Sequence, residues 1–311
     1  METDEVVLTF EDGPTALLEG LVTRFDGRRC LDDLASELKA SAGQAAMVLQ
    51  PLWNEGLLLD LAAALNAETV DEFVASYFEE CRFWNRELFA QPFWEKLLGG
   101  EASREAVLGW GVEFYHYVEA ANEHMAMSVA SSRPRGRVTR LLAEHYVEEY
   151  DHARYFLKGL EESGLDAGAV IDAPPLPATR GLINFLTELA AADTIAYTGA
   201  FGIMQANKDA EKQDIQRFFD FLVDSYPYAA PMFEGFREHA ILDLELEHQT
   251  ILLEKIIRAT DLVNGPARAR ILSAARDTFE HFVLFFECID DYYSQPGALV
   301  PRRPVDIRAV L

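Results

Sequence analysis

The residues of this chain best suited to chemistry are histidines that stand three or four positions from a carboxylate. Residues spaced i, i+3 or i+4 share one face of a helix, so a Glu-x-x-His segment places a carboxylate beside an imidazole. With seven histidines in the chain, the segment occurs more often than chance predicts, at Glu113/His116, Glu149/His152 and Glu245/His248. Such pairs build iron and manganese sites when they project inward from facing helices.

A fourth arrangement, His239 followed by Asp243, places the same two groups one helical turn apart. An imidazole and a carboxylate from each of two helices would hold one metal ion and leave positions open for dioxygen. Iron and manganese suit these ligands about equally. We therefore predict a metal site made of the two pairs with the most apolar surroundings, Glu149, His152, His239 and Asp243.

The other histidines receive different assignments. His116 lies in the segment FYHY, where aromatic rings surround one imidazole, and we predict that it lines a pocket and acts in catalysis by proton transfer. Glu123 and His124 are predicted on a solvated face. The aromatic stripe around His281 has helical spacing and is assigned to core packing.

Composition limits the classes of protein. Half of the 311 residues are hydrophobic, which excludes disorder and leaves room for two domains. A net charge of −25 repels nucleic acid and anionic lipid, so we expect neither as a partner. No signal peptide and no membrane span are predicted, and three scattered cysteines favour a reducing, cytoplasmic compartment.

Hydrophobic periodicity is helical almost throughout from residue 66 to residue 295, with breaks at glycine and proline. We predict a mainly α domain there and a C-terminal tail over 296–311 that forms an extended arm. The predicted helices lie at about 70–90, 101–131, 134–164, 179–206, 208–224, 227–259 and 264–294.

Residues 1–65 follow another pattern, with short strands predicted at 6–10 and 57–61 around three helices. This order is typical of a winged helix-turn-helix, yet acidic residues outnumber basic ones, which argues against DNA binding. The segments FDGRRCLDDLASEL and LQPLWNEGLLL resemble the PqqD-like recognition domains of peptide-modifying pathways. A winged helix used only for packing or dimerisation is the alternative.

At the Glu149/His152 and His239/Asp243 motifs, the large domain resembles the heme-oxygenase-like superfamily, which includes the quinone synthase PqqC and non-heme iron oxidases. The resemblance implies a helical bundle in which Glu149, His152 and His239 ligate Fe(II) and Asp243 is a further ligand. Two ligands that the family pattern expects are absent, because Gln205 and Leu246 stand at their positions. A second iron would therefore be weakly held.

Three interpretations of these residues stay open. The first is an iron-dependent and O2-dependent oxidase or oxygenase that modifies a peptide or an amino-acid-derived small molecule in natural-product or cofactor biosynthesis. The second is a metal-free oxidase of the PqqC kind. The third is a non-catalytic peptide-binding or scaffold protein, in which buried histidines and carboxylates only satisfy one another. A homodimer is the default expectation.

Overall fold

In a computed structural model of the chain, residues 17, 20, 21, 24, 31–54, 63–133, 135–204, 212–245, 252–260 and 265–303 are described. These residues form helices joined by short turns, and no strand occurs among them. The prediction of a mainly α protein is confirmed. No helix in the described ranges is long and apolar enough to cross a membrane.

The chain divides into two compact units, which we call the front unit, Met1–Asn66, and the large unit, Ala67–Leu311. Helices α1 (Leu31–Glu37), α2 (Ala42–Asn54) and α3 (Ala63–Asn66) belong to the front unit. A small apolar cluster holds α1 and α2 together, formed by Leu21, Leu34, Ala35, Ala45 and Val48. The two strands predicted at 6–10 and 57–61 lie outside the described residues, so the winged helix-turn-helix stays a prediction.

The large unit is a bundle whose described part contains thirteen α-helices. In chain order they are α4 (Val70–Phe89), α5 (Pro92–Leu98), α6 (Arg104–Glu119), α7 (Ala121–Ser131), α8 (Arg137–Glu149), α9 (Ala153–Glu162), α10 (Ala167–Asp172), α11 (Pro177–Ala192), α12 (Thr194–Gly199), α13 (Lys212–Ser225), α14 (Ala230–Glu245), α15 (Leu252–Thr260) and α16 (Gly265–Tyr293). Short 3₁₀ turns at Ala200–Ile203 and Pro227–Ala229 complete it.

Local signals explain where several helices begin. Thr69 and Glu72 form a capping box at the start of α4, so two backbone N–H groups at the helix end are satisfied by side chains. Pro92 and Pro177 stand at the first position of α5 and α11, where a missing N–H costs nothing. Helices α4 and α11 therefore begin close to the predicted positions, about 70 and 179.

The long helix α16 packs against α4, α6, α11 and α12 and forms the centre of the unit. Its aromatic stripe is buried, as predicted: Phe282, Phe286 and Tyr293 are at most 3% exposed. Phe286 stacks on Phe93 with ring centroids 5.4 Å apart. Burying rings of this size supplies much of the hydrophobic free energy of the core.

Several predicted helices are interrupted, which corrects the sequence interpretation. The helix predicted at 101–131 breaks at Ala120, the one at 134–164 breaks at residues 150–152, and the one at 179–206 breaks at Asp193. The Asp193 carboxylate accepts hydrogen bonds from the backbone N–H groups of Ile195 and Ala196, so it starts a new helix there. Two short helices, α5 and α10, were not predicted.

The start of the predicted tail packs on the large unit. The Arg302 guanidinium donates hydrogen bonds to the carbonyl oxygens of Pro174 and Pro175, at 3.3 and 2.9 Å, and lies over the ring of Tyr292. These contacts do not test the predicted extended arm, which stays a prediction, and residues 304–311 lie outside the described part.

Candidate metal centre

Four predicted ligands lie together in the large unit. Glu149, His152, His239 and Asp243 each offer one nitrogen or oxygen atom, and these four atoms all lie within 4.8 Å of one another. We call this group the four-ligand cluster. One pair comes from the junction of α8 and α9, and the other from α14.

The distances show how tightly the cluster is built. Nδ1 of His152 lies 3.1 Å from the Glu149 carboxylate and 3.9 Å from the Asp243 carboxylate. Nδ1 of His239 lies 3.2 Å from the other oxygen of Asp243. The side chain of His152 is 6% exposed and that of Asp243 is 34% exposed, so the cluster extends from the interior towards the surface.

A break in the backbone positions the first pair. Helix α8 ends at Glu149, and His152 is the residue just before α9. Between them Asp151 has a φ of 68°, a left-handed conformation that non-glycine residues adopt rarely. Its backbone N–H donates to Oδ1 of Asn122 at 3.4 Å. Unusual backbone conformations of this kind concentrate at functional sites.

Two glycines bring the second pair up to the first. A Cβ atom at Gly159 on α9 would lie 2.7 Å from the carbonyl oxygen of Pro231, and one at Gly235 on α14 would meet the carbonyl oxygen of Tyr155. The backbones of α9 and α14 therefore touch without intervening side chains. His239 lies one turn beyond Gly235 on α14, so this close approach carries its ring to His152.

The charges in the cluster shift each other's proton affinity. Burial, followed by the negative charge of Glu149, raises the pKa of Asp243 to about 7. Burial lowers the pKa of His152, but the hydrogen bond and charge of Glu149, together with Asp243, outweigh it and leave this pKa raised. Two crowded carboxylates beside two imidazoles form a donor set that suits a divalent cation such as ferrous iron. The residues present therefore fit an iron ion.

His116 does not belong to the four-ligand cluster. Its side chain is partly buried, and burial, followed by the charge of Arg180, lowers its pKa to about 4. Its Nε2 atom is buried and has no hydrogen-bond partner among the described residues. The imidazole is thus neutral and sits beside Tyr115, with ring centroids 5.3 Å apart.

Glu113 is not a partner of His116, although the spacing suggested it. Its carboxylate is fully buried and accepts hydrogen bonds from the Leu176 N–H, the Thr179 hydroxyl and the Tyr293 hydroxyl, at 2.9, 2.6 and 2.9 Å. Burial raises its pKa, and these bonds oppose that rise. Glu113 therefore ties α6, α11 and α16 together as a structural carboxylate.

His124 corrects another prediction. Glu123 is exposed as expected, but His124 is only 1% exposed, and its Nδ1 shares a hydrogen bond of 2.6 Å with the Tyr197 hydroxyl. The break at Ala120 starts a new helix whose inner face packs on α11 and α12. Neither glycine nor proline marks this break, so the sequence carried no signal for it.

Two further histidines of the described part, His145 and His281, do not belong to the four-ligand cluster. His145 is buried and its ring lies 6.0 Å from that of Phe201. His281 stacks on Phe185 at 4.6 Å. Gln205, Leu246 and His248 lie outside the described residues, as does the side chain of Glu245.

The bundle and the four-ligand cluster define a helical protein with a candidate redox-metal site. A heme-oxygenase-type family model described as iron-containing redox enzyme matches residues 108–282, more than half of the chain. The chain belongs to this family.

Solved structures with the same fold are distant in sequence. A heme-oxygenase-like domain of unknown function from Shewanella denitrificans has a TM-score of 0.58 at 14% identity, over 75% of this chain and 98% of that one. A TenA homologue from Pseudomonas syringae has a TM-score of 0.51 at 14% identity, over 70% and 92%. A TenA homologue from P. horikoshii has a TM-score of 0.50 at 14% identity, over 70% and 97%. They support the fold alone, and no curated protein matches the chain.

Proposed function

We propose that the protein is a non-heme iron oxidase or oxygenase that uses O2, with Glu149, His152, His239 and Asp243 as the metal ligands. The observation that carries the proposal is the meeting of these four side chains within 4.8 Å. The family's description as iron-containing redox enzyme supports the same chemistry.

The chain's own residues would prepare the site in distinct ways. His152 and His239 supply neutral nitrogen donors, while Glu149 and Asp243 supply the negative charge that balances a divalent cation. A bound ferrous ion would supply the electrons and the open positions that O2 needs. Phe156, which is 1% exposed, lies 4.9 Å from the His239 ring and gives the cluster an apolar neighbour on its buried side.

For the substrate we propose a precursor peptide or an amino-acid-derived small molecule, modified in the cytoplasm by a homodimer. The likeness of the front unit to PqqD-like recognition domains supports a peptide, which the front unit would recruit and the large unit would oxidise. Pathways that make modified-peptide natural products or cofactors need this class of reaction.

Metal content tests the proposal directly. Protein purified without oxygen and reconstituted with Fe(II) should hold about one iron per chain. The His152→Ala and His239→Ala variants should lose it. His281→Ala is the matched control, because His281 stacks on Phe185 away from the cluster and should leave iron content unchanged. A parent protein that retains no iron would contradict the metalloenzyme proposal.

A metal-free oxidase is the second candidate, and His116 is the observation that favours it. A partly buried, neutral imidazole whose buried Nε2 has no hydrogen-bond partner among the described residues can move a proton to or from a substrate without a metal. Oxygen consumption that survives chelation and is lost in His116→Gln would support this candidate. Loss of oxygen consumption on chelation would exclude it.

A further inference from the structure

The large unit contains a buried, hydrogen-bonded pair formed by His124 and Tyr197. Tyr197 on α12 is 0% exposed, His124 on α7 is 1% exposed, and the hydroxyl and Nδ1 lie 2.6 Å apart. Burial, followed by the charge of His145, lowers the pKa of His124 to about 4, so the ring is neutral near pH 7. With its proton on Nε2, the ring accepts the Tyr197 hydroxyl hydrogen at Nδ1.

Aromatic contacts connect this pair to α8, the helix that ends at Glu149. His145 stands one helical turn before Glu149 on α8, and its ring contacts Phe201. Phe201 also contacts Tyr197 and His124, with ring centroids 5.0 and 6.3 Å away. The Glu149 charge is close enough to contribute to the raised pKa of Tyr197, after burial and Tyr117. Ring contacts through Phe201 and His145 thus connect this phenol and its base to the helix that carries Glu149.

We propose that Tyr197 is a redox-active tyrosine that donates one electron to the oxidised site while its hydroxyl proton passes to Nδ1 of His124. This inference rests on the proposed function, with O2 reduced at the four-ligand cluster as the oxidant. The phenol O–H bond breaks and the N–H bond on His124 forms. The products are a neutral tyrosyl radical and an imidazolium, and no heavy atom moves.

The reduction of the tyrosyl radical back to tyrosine also balances in electrons and protons. A thiol in solution supplies one electron to the radical, His124 returns its proton to the phenolate oxygen, and the thiol loses a proton to water. Two thiyl radicals then couple to a disulfide. Tyr197 would therefore store or deliver single electrons when a turnover lacks substrate.

The partner of the hydroxyl distinguishes Tyr197 from a neighbouring tyrosine. Tyr77 is also 0% exposed, and its hydroxyl donates a hydrogen bond of the same length, 2.6 Å, to the carbonyl oxygen of Gly199. A carbonyl oxygen cannot take up the proton of an oxidised phenol, whereas an imidazole can. Tyr77→Phe removes a buried hydroxyl whose hydrogen-bond partner cannot accept its proton. This variant is therefore the matched control for Tyr197→Phe.

Freeze-quench EPR tests the inference. The full-length protein loaded with Fe(II), its iron content measured first, would be exposed to limiting O2 without substrate. We expect an organic radical whose hyperfine pattern collapses when ring-deuterated tyrosine is incorporated. The signal should be lost in Tyr197→Phe, retained in Tyr77→Phe and shorter-lived in His124→Gln, while all three variants keep the parent's iron content.

The possible outcomes distinguish a failure of this inference from a failure of the proposed function. A parent that binds iron and consumes O2 but gives no tyrosyl radical overturns this inference and leaves the proposed function standing. A radical of unchanged yield in Tyr197→Phe overturns it as well. If Tyr197→Phe does not fold, an unaltered radical lifetime in His124→Gln overturns it. A parent that binds no iron overturns both the inference and the proposed function.

Discussion

The imidazole rings of His152 and His239 meet edge to face, with centroids 4.9 Å apart and planes at 89°. The His152 ring comes from the residue just before α9 and the His239 ring from α14, and each has a carboxylate within 3.2 Å of its Nδ1. This arrangement of two rings and two carboxylates is the one that we propose would bind a metal ion.

Iron affinity should fall as the pH falls below about 7. Asp243 must be ionised and His152 and His239 must be neutral to bind, and the pKa of Asp243 is raised to about 7. Binding therefore displaces a proton in this range, so the dissociation constant should rise by about tenfold for each pH unit below it. Competition titrations with a chelator of known affinity at about pH 6 and about pH 8 measure this. A pH-independent constant would contradict it.

Asp243→Asn should stabilise the metal-free protein while abolishing iron binding. The carboxyl pKa is raised from 3.8 to about 7 in the folded protein, so the unfolded chain ionises more easily and stability falls as the pH rises through this window. The side chain is one-third exposed, which reduces the effect to about 1 kcal/mol above pH 7. Urea denaturation with a chelator present checks this. The difference between parent and variant should vanish below pH 3.8.

Asp151→Gly should keep the iron site and raise the free energy of unfolding slightly. The φ of 68° at Asp151 costs a residue with a Cβ atom more than it costs glycine. We expect a gain of up to about 1 kcal/mol for glycine and a loss of about 1–2 kcal/mol for Asp151→Val. Thermal denaturation and iron titration of both variants test this. Equal stability of the two would show that the conformation carries no strain.

Gly235→Ala should destabilise the large unit and weaken iron binding together. The new methyl group would meet the backbone carbonyl of Tyr155, which cannot turn away, so α9 and α14 must separate. Overpacking of this kind costs about 1–3 kcal/mol. Gly181→Ala is the control, because nothing lies within 4 Å of a Cβ there. Calorimetry and iron titration should show both losses in the first variant and neither in the second.

Spacing predicted the two pairs and their joining in one site, but not the backbone features that bring them together. His239/Asp243 follows from the geometry of a helical turn, whereas Glu149 and His152 meet across a helix break. The contact between the two pairs depends on Gly159 and Gly235, and an isolated glycine in a helical pattern does not identify its neighbour. The mainly α fold could also be predicted, because the hydrophobic periodicity of a helix is visible in the local sequence.

Helix breaks that no glycine or proline marks limited what else could be predicted from the sequence. Ala120 and Asp151 interrupt helices whose periodicity runs on in the sequence, and the tertiary structure decides these positions. The break at Ala120 turned His124 from a predicted surface residue into a buried one. Its partner Tyr197 follows the Asp193 cap, a second break that had no strong signal in the sequence.

The interruption between Glu149 and His152 has a mechanical consequence. In an unbroken helix these two side chains would be rigidly related, since every backbone dihedral between them is held by the hydrogen-bond ladder. Here residues 150–152 leave the helical ladder, and a hydrogen bond from the His152 N–H to the Glu149 carbonyl oxygen, 3.3 Å long, spans the gap. An ion held by both side chains would add a second link, between the end of α8 and the start of α9.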